Sequence, residues 1–279
     1  MSGPDALDVS AHPSVERLDL PSRFRAPFAL RRVGLLLLAT DLTTERDMAR
    51  HLAPQGVAAH ATRIAFDNPT TPATLRRMGP GLADAAALLA SVAPLSAVYY
   101  SCTSATVALG PEAVAAALGA ALLDTPVVTP PEAAVTALAA LGARRVALLT
   151  PYLVETTEPF VGWFSDRGLD IVRAACLGME DDRDMARLDA DSIVAAAAAA
   201  DHPDAEALFV SCTALPSLDA VEAMEARLGK PVVTSNQAAI WRLFDHAGVA
   251  ATGPGRLFAL APPRGAAGVH PVRSQPCPT

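Results

Sequence analysis

Two cysteines stand in matching surroundings. Cys102 lies in Val98-Tyr99-Tyr100-Ser101-Cys102-Thr103, and Cys212 lies in Leu208-Phe209-Val210-Ser211-Cys212-Thr213. An apolar run that ends in Ser-Cys-Thr predicts a buried strand delivering a thiol to its carboxyl end. Ser104 after Cys102, and Pro216 after Cys212, suit the starts of helices. A helix's first turn has N–H groups without intrahelical acceptors and a partial positive charge, which favours thiolate over thiol. Two thiols so placed could work on one substrate from opposite sides, one as nucleophile or base and the other as acid. The same N–H groups, with Thr103, Ser104 and Thr213, could hold a substrate carboxylate. A lone cysteine in a buried strand is more commonly a small hydrophobe. Cys176, inside an expected strand, and Cys277, near the C-terminus, read that way. The repetition of context is what sets Cys102 and Cys212 apart.

Other chemistries find little support. The six histidines are scattered, none within a few residues of Cys102 or Cys212, and no zinc-type spacing occurs, so no metal is expected. There is no phosphate-binding glycine loop, so no cofactor is expected and side chains must do the work. Four cysteines in 279 residues are too sparse for a disulfide framework, which points to free thiols and a cytoplasmic protein. The net charge of −7 comes without a basic cluster, which argues against nucleic acid. Residues 1–24 lack the apolar core of a signal peptide, and runs such as Val33–Ala39 are too short to span a bilayer. The expected partner is a small molecule, with homo-oligomerisation left open.

The elements that must position the cysteines occur twice. Arg31-Arg32-Val33-Gly34-Leu35-Leu36 is echoed by Arg144-Arg145-Val146-Ala147-Leu148-Leu149, and Pro126-Val127-Val128-Thr129 by Pro231-Val232-Val233-Thr234. With the Ser-Cys-Thr segments, these give three matches in one order at a spacing near 110 residues, the mark of a duplicated domain. Each repeat predicts four strands (33–39, 58–65, 96–101, 126–129; 146–150, 169–176, 206–211, 231–234). Helices alternate with them (43–53, 80–92, 105–119, 131–141; 155–167, 190–200, 217–228, 236–247). Continuous apolar strands between helices imply parallel sheets covered on both faces. The expected fold is α/β, with two pseudo-symmetric flavodoxin-like domains, each a four-stranded parallel sheet, and a cleft between them. Ligands of such sheets bind beyond the carboxyl ends of the strands, where Thr40-Asp41 and Thr150-Pro151-Tyr152 also fall. The last helix of each repeat could pack on the other repeat's sheet. The expected domains are therefore 31–130 plus 236–250 and 131–235, with tails at 1–30 and 251–279.

At these residues the sequence resembles the aspartate/glutamate racemase superfamily, in the branch of maleate cis–trans isomerases, arylmalonate decarboxylases and ectoine-utilisation proteins. The resemblance covers about residues 31–250. It is carried by Ser101-Cys102-Thr103-Ser104, Thr150-Pro151-Tyr152, Ser211-Cys212-Thr213 and Lys-Pro-Val-Val-Thr-Ser-Asn-Gln-Ala at 230–238, followed by Trp241. It implies one catalytic cysteine from each half and no cofactor, with Tyr152 and Asn236 orienting a carboxylate. Glutamate racemases carry a histidine where Ala214 stands, which disfavours an amino-acid racemase. Arylmalonate decarboxylases lack the first cysteine, which disfavours decarboxylation. The substrate-binding asparagines of maleate isomerases align with Leu42, Thr157 and Asp182. The segment 40–47 looks most like the ectoine-utilisation proteins.

The resemblance thus implies an isomerase or racemase of a small carboxylate, maleate-like or an ectoine-pathway metabolite. The alternatives are a non-catalytic ligand-binding or accessory protein of ectoine catabolism and an arylmalonate-type decarboxylase. Apolar Leu42 and acidic Asp182 argue against a simple dicarboxylate, unless Arg183 or Arg187 neutralises Asp182 at the rim. Tyr152 reads equally as a packing residue, and Thr43, Thr44 and Thr157 as helix N-caps.

Overall fold

The computed structural model describes residues 15–24, 30–92 and 94–262. Cys277 and parts of both expected tails lie outside them. Strands β1 (Arg31–Leu38), β2 (Val57–Ile64), β3 (Ala97–Tyr100) and β4 (Val127–Val128) form one parallel sheet in the order β2-β1-β3-β4. Strands β5 (Arg145–Thr150), β6 (Asp170–Cys176), β7 (Ala207–Val210) and β8 (Val232–Thr234) form a second with the equivalent order β6-β5-β7-β8. The two four-stranded parallel sheets of the α/β fold are those the repeated sequence predicts. The central strands β1, β3, β5 and β7 are almost wholly buried, as continuous apolar runs require.

Helices α1 (Thr44–Leu52), α2 (Pro72–Arg76), α3 (Leu82–Ala90), α4 (Thr103–Leu109), α5 (Pro111–Gly119) and α6 (Pro130–Ala140) belong to the first repeat. Helices α7 (Val154–Ser165), α8 (Asp182–Met185), α9 (Ala190–Ala200), α10 (Val221–Leu228) and α11 (Ser235–Ala247) belong to the second. The single helix expected over 105–119 is two. Gly110, at φ 87°, ends α4, and Pro111 starts α5; a left-handed glycine followed by proline cannot continue a helix. The helix expected over 217–228 opens as a 3₁₀ turn at Ser217–Ala220. The short helices α2 and α8 were not expected, because four or five residues are too few to show a helical period.

The last helix of each repeat reaches across. After β4, α6 lies against α4, α11 and the second-repeat strand β8. After β8, α11 lies against α1 and against β1, β3 and β4 of the first sheet. Alternation along β1 and β3 sends Val33, Leu35, Leu37, Ala97 and Tyr99 into a core shared with the second repeat, including Trp241 and Phe244 of α11. Leu36, Leu38, Val98 and Tyr100 face the opposite way, into a separate core with Leu82, Ala86 and Leu89 of α3. Residues 252–262 lie over α11: Trp241 Nε1 donates to the Leu260 carbonyl and Gln237 Nε2 to that of Pro254. Among the described residues no helix is long and apolar enough to cross a membrane.

Candidate active site

Both cysteines follow their strands directly, but their backbones differ. Cys102 is the N-cap of α4, in extended conformation, and its sulfur accepts the Ala105 N–H at 3.4 Å with Ser104 Oγ 3.7 Å away. Cys212 begins no helix. Its φ is 99°, a left-handed conformation that costs a non-glycine residue about 1–3 kcal/mol and survives only where surroundings hold it. A turn through Pro216 intervenes before the 3₁₀ segment. The expectation of equivalent helix starts therefore holds for Cys102 and fails for Cys212.

The loops are tied together across the repeats. Cys212 N–H donates to Ser235 Oγ at 3.1 Å, and that hydroxyl pairs with Thr103 Oγ1 at 2.9 Å. Thr213 Oγ1 donates to the Ser101 carbonyl at 3.2 Å. Both cysteines line one cavity of about 20 Å³. Asp41, Thr103, Ser104, Tyr152, Asp182, Thr213 and Ala214 share its wall. That volume admits roughly one water molecule, so a substrate enters only if the site opens.

Three of the anticipated contact residues do not line the cavity. Thr40 reaches it indirectly, donating to Asp182 Oδ2 at 2.5 Å. Thr157 is turned to Thr150 Oγ1 and the Leu153 carbonyl. Asn236 has its amide hydrogens on Asp47 Oδ2 and the Thr213 carbonyl, both at 3.0 Å, while its oxygen accepts from Tyr99 OH at 3.2 Å. Leu42 is 64 % exposed and has no place in the cavity either. Met185, which sequence reasoning missed, does line it, and the Cys212 thiol donates to its sulfur at 3.9 Å. A methionine on a four-residue helix gives no sequence signal that it faces a thiol.

Asp182 is buried at 5 % exposure, and its partners come from the first repeat: Thr40 Oγ1 on one oxygen and Asn68 Nδ2, at 2.8 Å, on the other. The neighbouring arginines form their ion pairs with other carboxylates, Arg183 with Asp181 and Arg187 with Asp184 at 3.2 Å, and neither is hydrogen-bonded to Asp182. Asp41 differs. Its Oδ1 accepts the N–H groups of Thr43 and Thr44, and its Oδ2 accepts Ser101 Oγ, so its carboxylate fastens the start of α1. Among the described residues the cavity wall carries these two carboxylates and no basic side chain.

Burial pushes each thiol up to about 12, against the pull of the Ala105 N–H on Cys102 and of Tyr152, Leu215 and Ala214 on Cys212. The expected thiolates are thus thiols in the closed protein, because desolvation of the charge outweighs a few donors. The sign follows: the fold favours the protonated form, so stability falls as pH rises from about 9 towards 12, where the unfolded chain binds fewer protons. Alkylation of both cysteines by iodoacetamide should be slow at neutral pH and keep rising about tenfold per pH unit beyond pH 9, where a free thiol has levelled off. A plateau at or below pH 8, followed by peptide mass spectrometry, would show thiolates stabilised in the resting site.

Two four-stranded parallel sheets, with one cysteine from each half on the wall of a shared cavity, define the racemase-like class of α/β proteins. A model of the arylmalonate decarboxylase family matches residues 84–258, and the chain belongs to that family. A maleate isomerase of Nocardia farcinica (strain IFM 10152) is 29 % identical over 243 residues, covering 82 % of this chain and 96 % of the relative. An arylmalonate decarboxylase of Bordetella bronchiseptica is 36 % identical over 138 residues, 48 % of this chain and 58 % of the relative. Among solved structures, a variant Nocardia farcinica maleate cis–trans isomerase with a covalently bound succinylcysteine intermediate superposes with a TM-score of 0.75 at 26 % identity. That match covers 82 % of this chain and 98 % of the other. These relatives lie in the branch that the sequence resembles.

Proposed function

We propose that the protein is a cofactor-independent isomerase or racemase of a small carboxylate, with Cys102 and Cys212 as its reacting groups. The observation that carries the reading is the meeting of these two thiols, one from each repeat, on the wall of one cavity. For an unsaturated substrate, Cys102 first loses its proton to water; the thiolate then adds to one alkene carbon while the Cys212 thiol protonates the adjacent carbon. The new single bond rotates, Cys212 takes the proton back, and the bond to Cys102 breaks to release the isomer. The covalent succinylcysteine of the Nocardia farcinica relative supports this addition step. For a chiral substrate, one thiolate removes the α-proton and the other thiol returns a proton to the opposite face. The N–H groups of Thr103 and Ser104, in the first turn of α4, are suited to a carboxylate.

The substrate we favour has a single carboxylate and a cationic or N–H-rich end, the chemistry of an ectoine-pathway metabolite. A wall with two carboxylates and no basic side chain is poorly matched to a dianion such as maleate. The family match supports a second reading, decarboxylation of an arylmalonate. Incubation in deuterated water, followed by proton NMR, separates the possibilities. Isomerisation, or exchange of a substrate C–H, is expected with a carboxylate of the favoured class. Release of carbon dioxide from an arylmalonate would assign the chain to the decarboxylases, and binding without exchange would make it a non-catalytic ligand-binding protein.

A further inference from the structure

The repeat breaks at one position behind the site. Pro126-Val127-Val128-Thr129 runs into Pro130, the first residue of α6, whereas Pro231-Val232-Val233-Thr234 runs into Ser235, the first residue of α11. Both N-caps, Thr129 and Thr234, are extended, so the two helix starts share a backbone and differ in this side chain. Proline suits the place, because its ring fixes φ and the first turn needs no N–H. The buried serine has a different use. Its hydroxyl accepts the Cys212 N–H at 3.1 Å and pairs with Thr103 Oγ1 at 2.9 Å. At the first cysteine the matching N–H stays within its own segment, donating to the Tyr100 carbonyl at 3.0 Å.

We infer that Ser235 is a positioning residue whose hydroxyl joins the Cys212 backbone to Thr103 and so fixes how the two thiols meet the shared cavity. Ser235 does not line that cavity, but Thr103 and both cysteines do. The left-handed backbone of Cys212 persists only where its surroundings hold it. Asn236 on the Thr213 carbonyl and Thr43 on the Ala214 carbonyl hold the residues that follow. Ser235 holds the cysteine itself, through the peptide that precedes it. Without the hydroxyl, that buried N–H loses its acceptor, and a turn of the peptide towards another carries the thiol with it. Thr213 Oγ1 on the Ser101 carbonyl remains as a second tie, so the site loosens without its halves parting. The inference rests on the two-thiol reading of the site, yet the thiols can be followed without any substrate.

The test compares Ser235→Ala and Ser235→Pro, which remove the hydroxyl, with Ser235→Thr, which keeps it. Proline copies the start of α6, and Thr234 already has the extended backbone that a following proline demands, so this variant decides if alanine does not fold. The first reading is the ratio of iodoacetamide alkylation rates at Cys212 and Cys102 in one sample at pH 8, by peptide mass spectrometry. Opening of the shared cavity cancels in the ratio, and the bonds of Cys102 to Tyr100 and Ala105 are untouched. Cys212 is 5 % exposed, so freeing it increases its access. The ratio should rise about tenfold without the hydroxyl, the effect of one buried N–H left unpaired. It should stay near wild type in Ser235→Thr. The second reading is kinetic: without the hydroxyl kcat should fall about tenfold while KM stays within about twofold, since a reacting group is displaced and no substrate contact is lost. An unchanged alkylation ratio without the hydroxyl, an equal rise in Ser235→Thr, or a raised ratio with wild-type kcat overturns the inference. A wild-type protein that turns over no carboxylate overturns the two-thiol reading instead, and the alkylation ratio alone then decides the role of Ser235.

Discussion

Cys212→Ser should lower turnover roughly a thousandfold while the protein remains folded. Serine's hydroxyl stays protonated at any pH the protein survives, so it can neither take up a substrate proton nor return one as a thiol can. Little else should change, because serine is close to cysteine in shape and the hydrogen bond the sulfur donates, to Met185 at 3.9 Å, is a weak one. Cys102→Ser should lose as much activity for the lack of a nucleophile. Its stability should equal or exceed wild type, because serine is a strong N-cap and would receive the Ala105 N–H that the sulfur now accepts at 3.4 Å. Kinetics on each variant beside its melting temperature checks both statements. If a variant loses activity only in proportion to its unfolded fraction, that cysteine is a packing residue. If one retains wild-type turnover, the two-thiol chemistry is wrong.

The second large effect is expected at Asp182. Asp182→Asn should reduce kcat/KM for a substrate with a cationic nitrogen by roughly tenfold to a hundredfold, the range for losing a hydrogen bond to a charged group. It should simultaneously improve a dicarboxylate. Asp41 cannot substitute, because its oxygens are committed to Thr43, Thr44 and Ser101. Asp182 faces the cavity with only the Thr40 hydroxyl and the Asn68 amide as partners, and Arg183 and Arg187 are paired elsewhere. The deciding quantity is the ratio of kcat/KM for the two substrates, since general damage to the site cancels from it. An unchanged ratio would remove Asp182 from substrate selection.

Much of this molecule was legible in its residues. The apolar runs of β1, β3, β5 and β7, the alternation with helices and the doubled Ser-Cys-Thr gave the two sheets and the place of both thiols. These features are local: hydrophobic period and strand length are written in consecutive residues, and a duplication repeats them. The identity of Tyr152, Thr103 and Thr213 as neighbours of the cysteines follows from the same logic, since each sits at the carboxyl end of a central strand or just beyond it.

Tertiary structure decided what depends on distant partners. Thr40 bonds with Asp182, Thr43 with Ala214, and Asn236 with Asp47 and Thr213, across sequence separations that no local pattern records. Leu42 points to solvent although its neighbour Asp41 is buried. The protonation of the thiols was decided in the same way. A sequence shows that a cysteine stands before a helix, which lowers its pKa, but not how completely other segments exclude water from it. Here the second repeat's α8 and the loop through Asn68 close over the site, and desolvation, which is set by the whole enclosure, exceeds the pull of the nearby N–H groups.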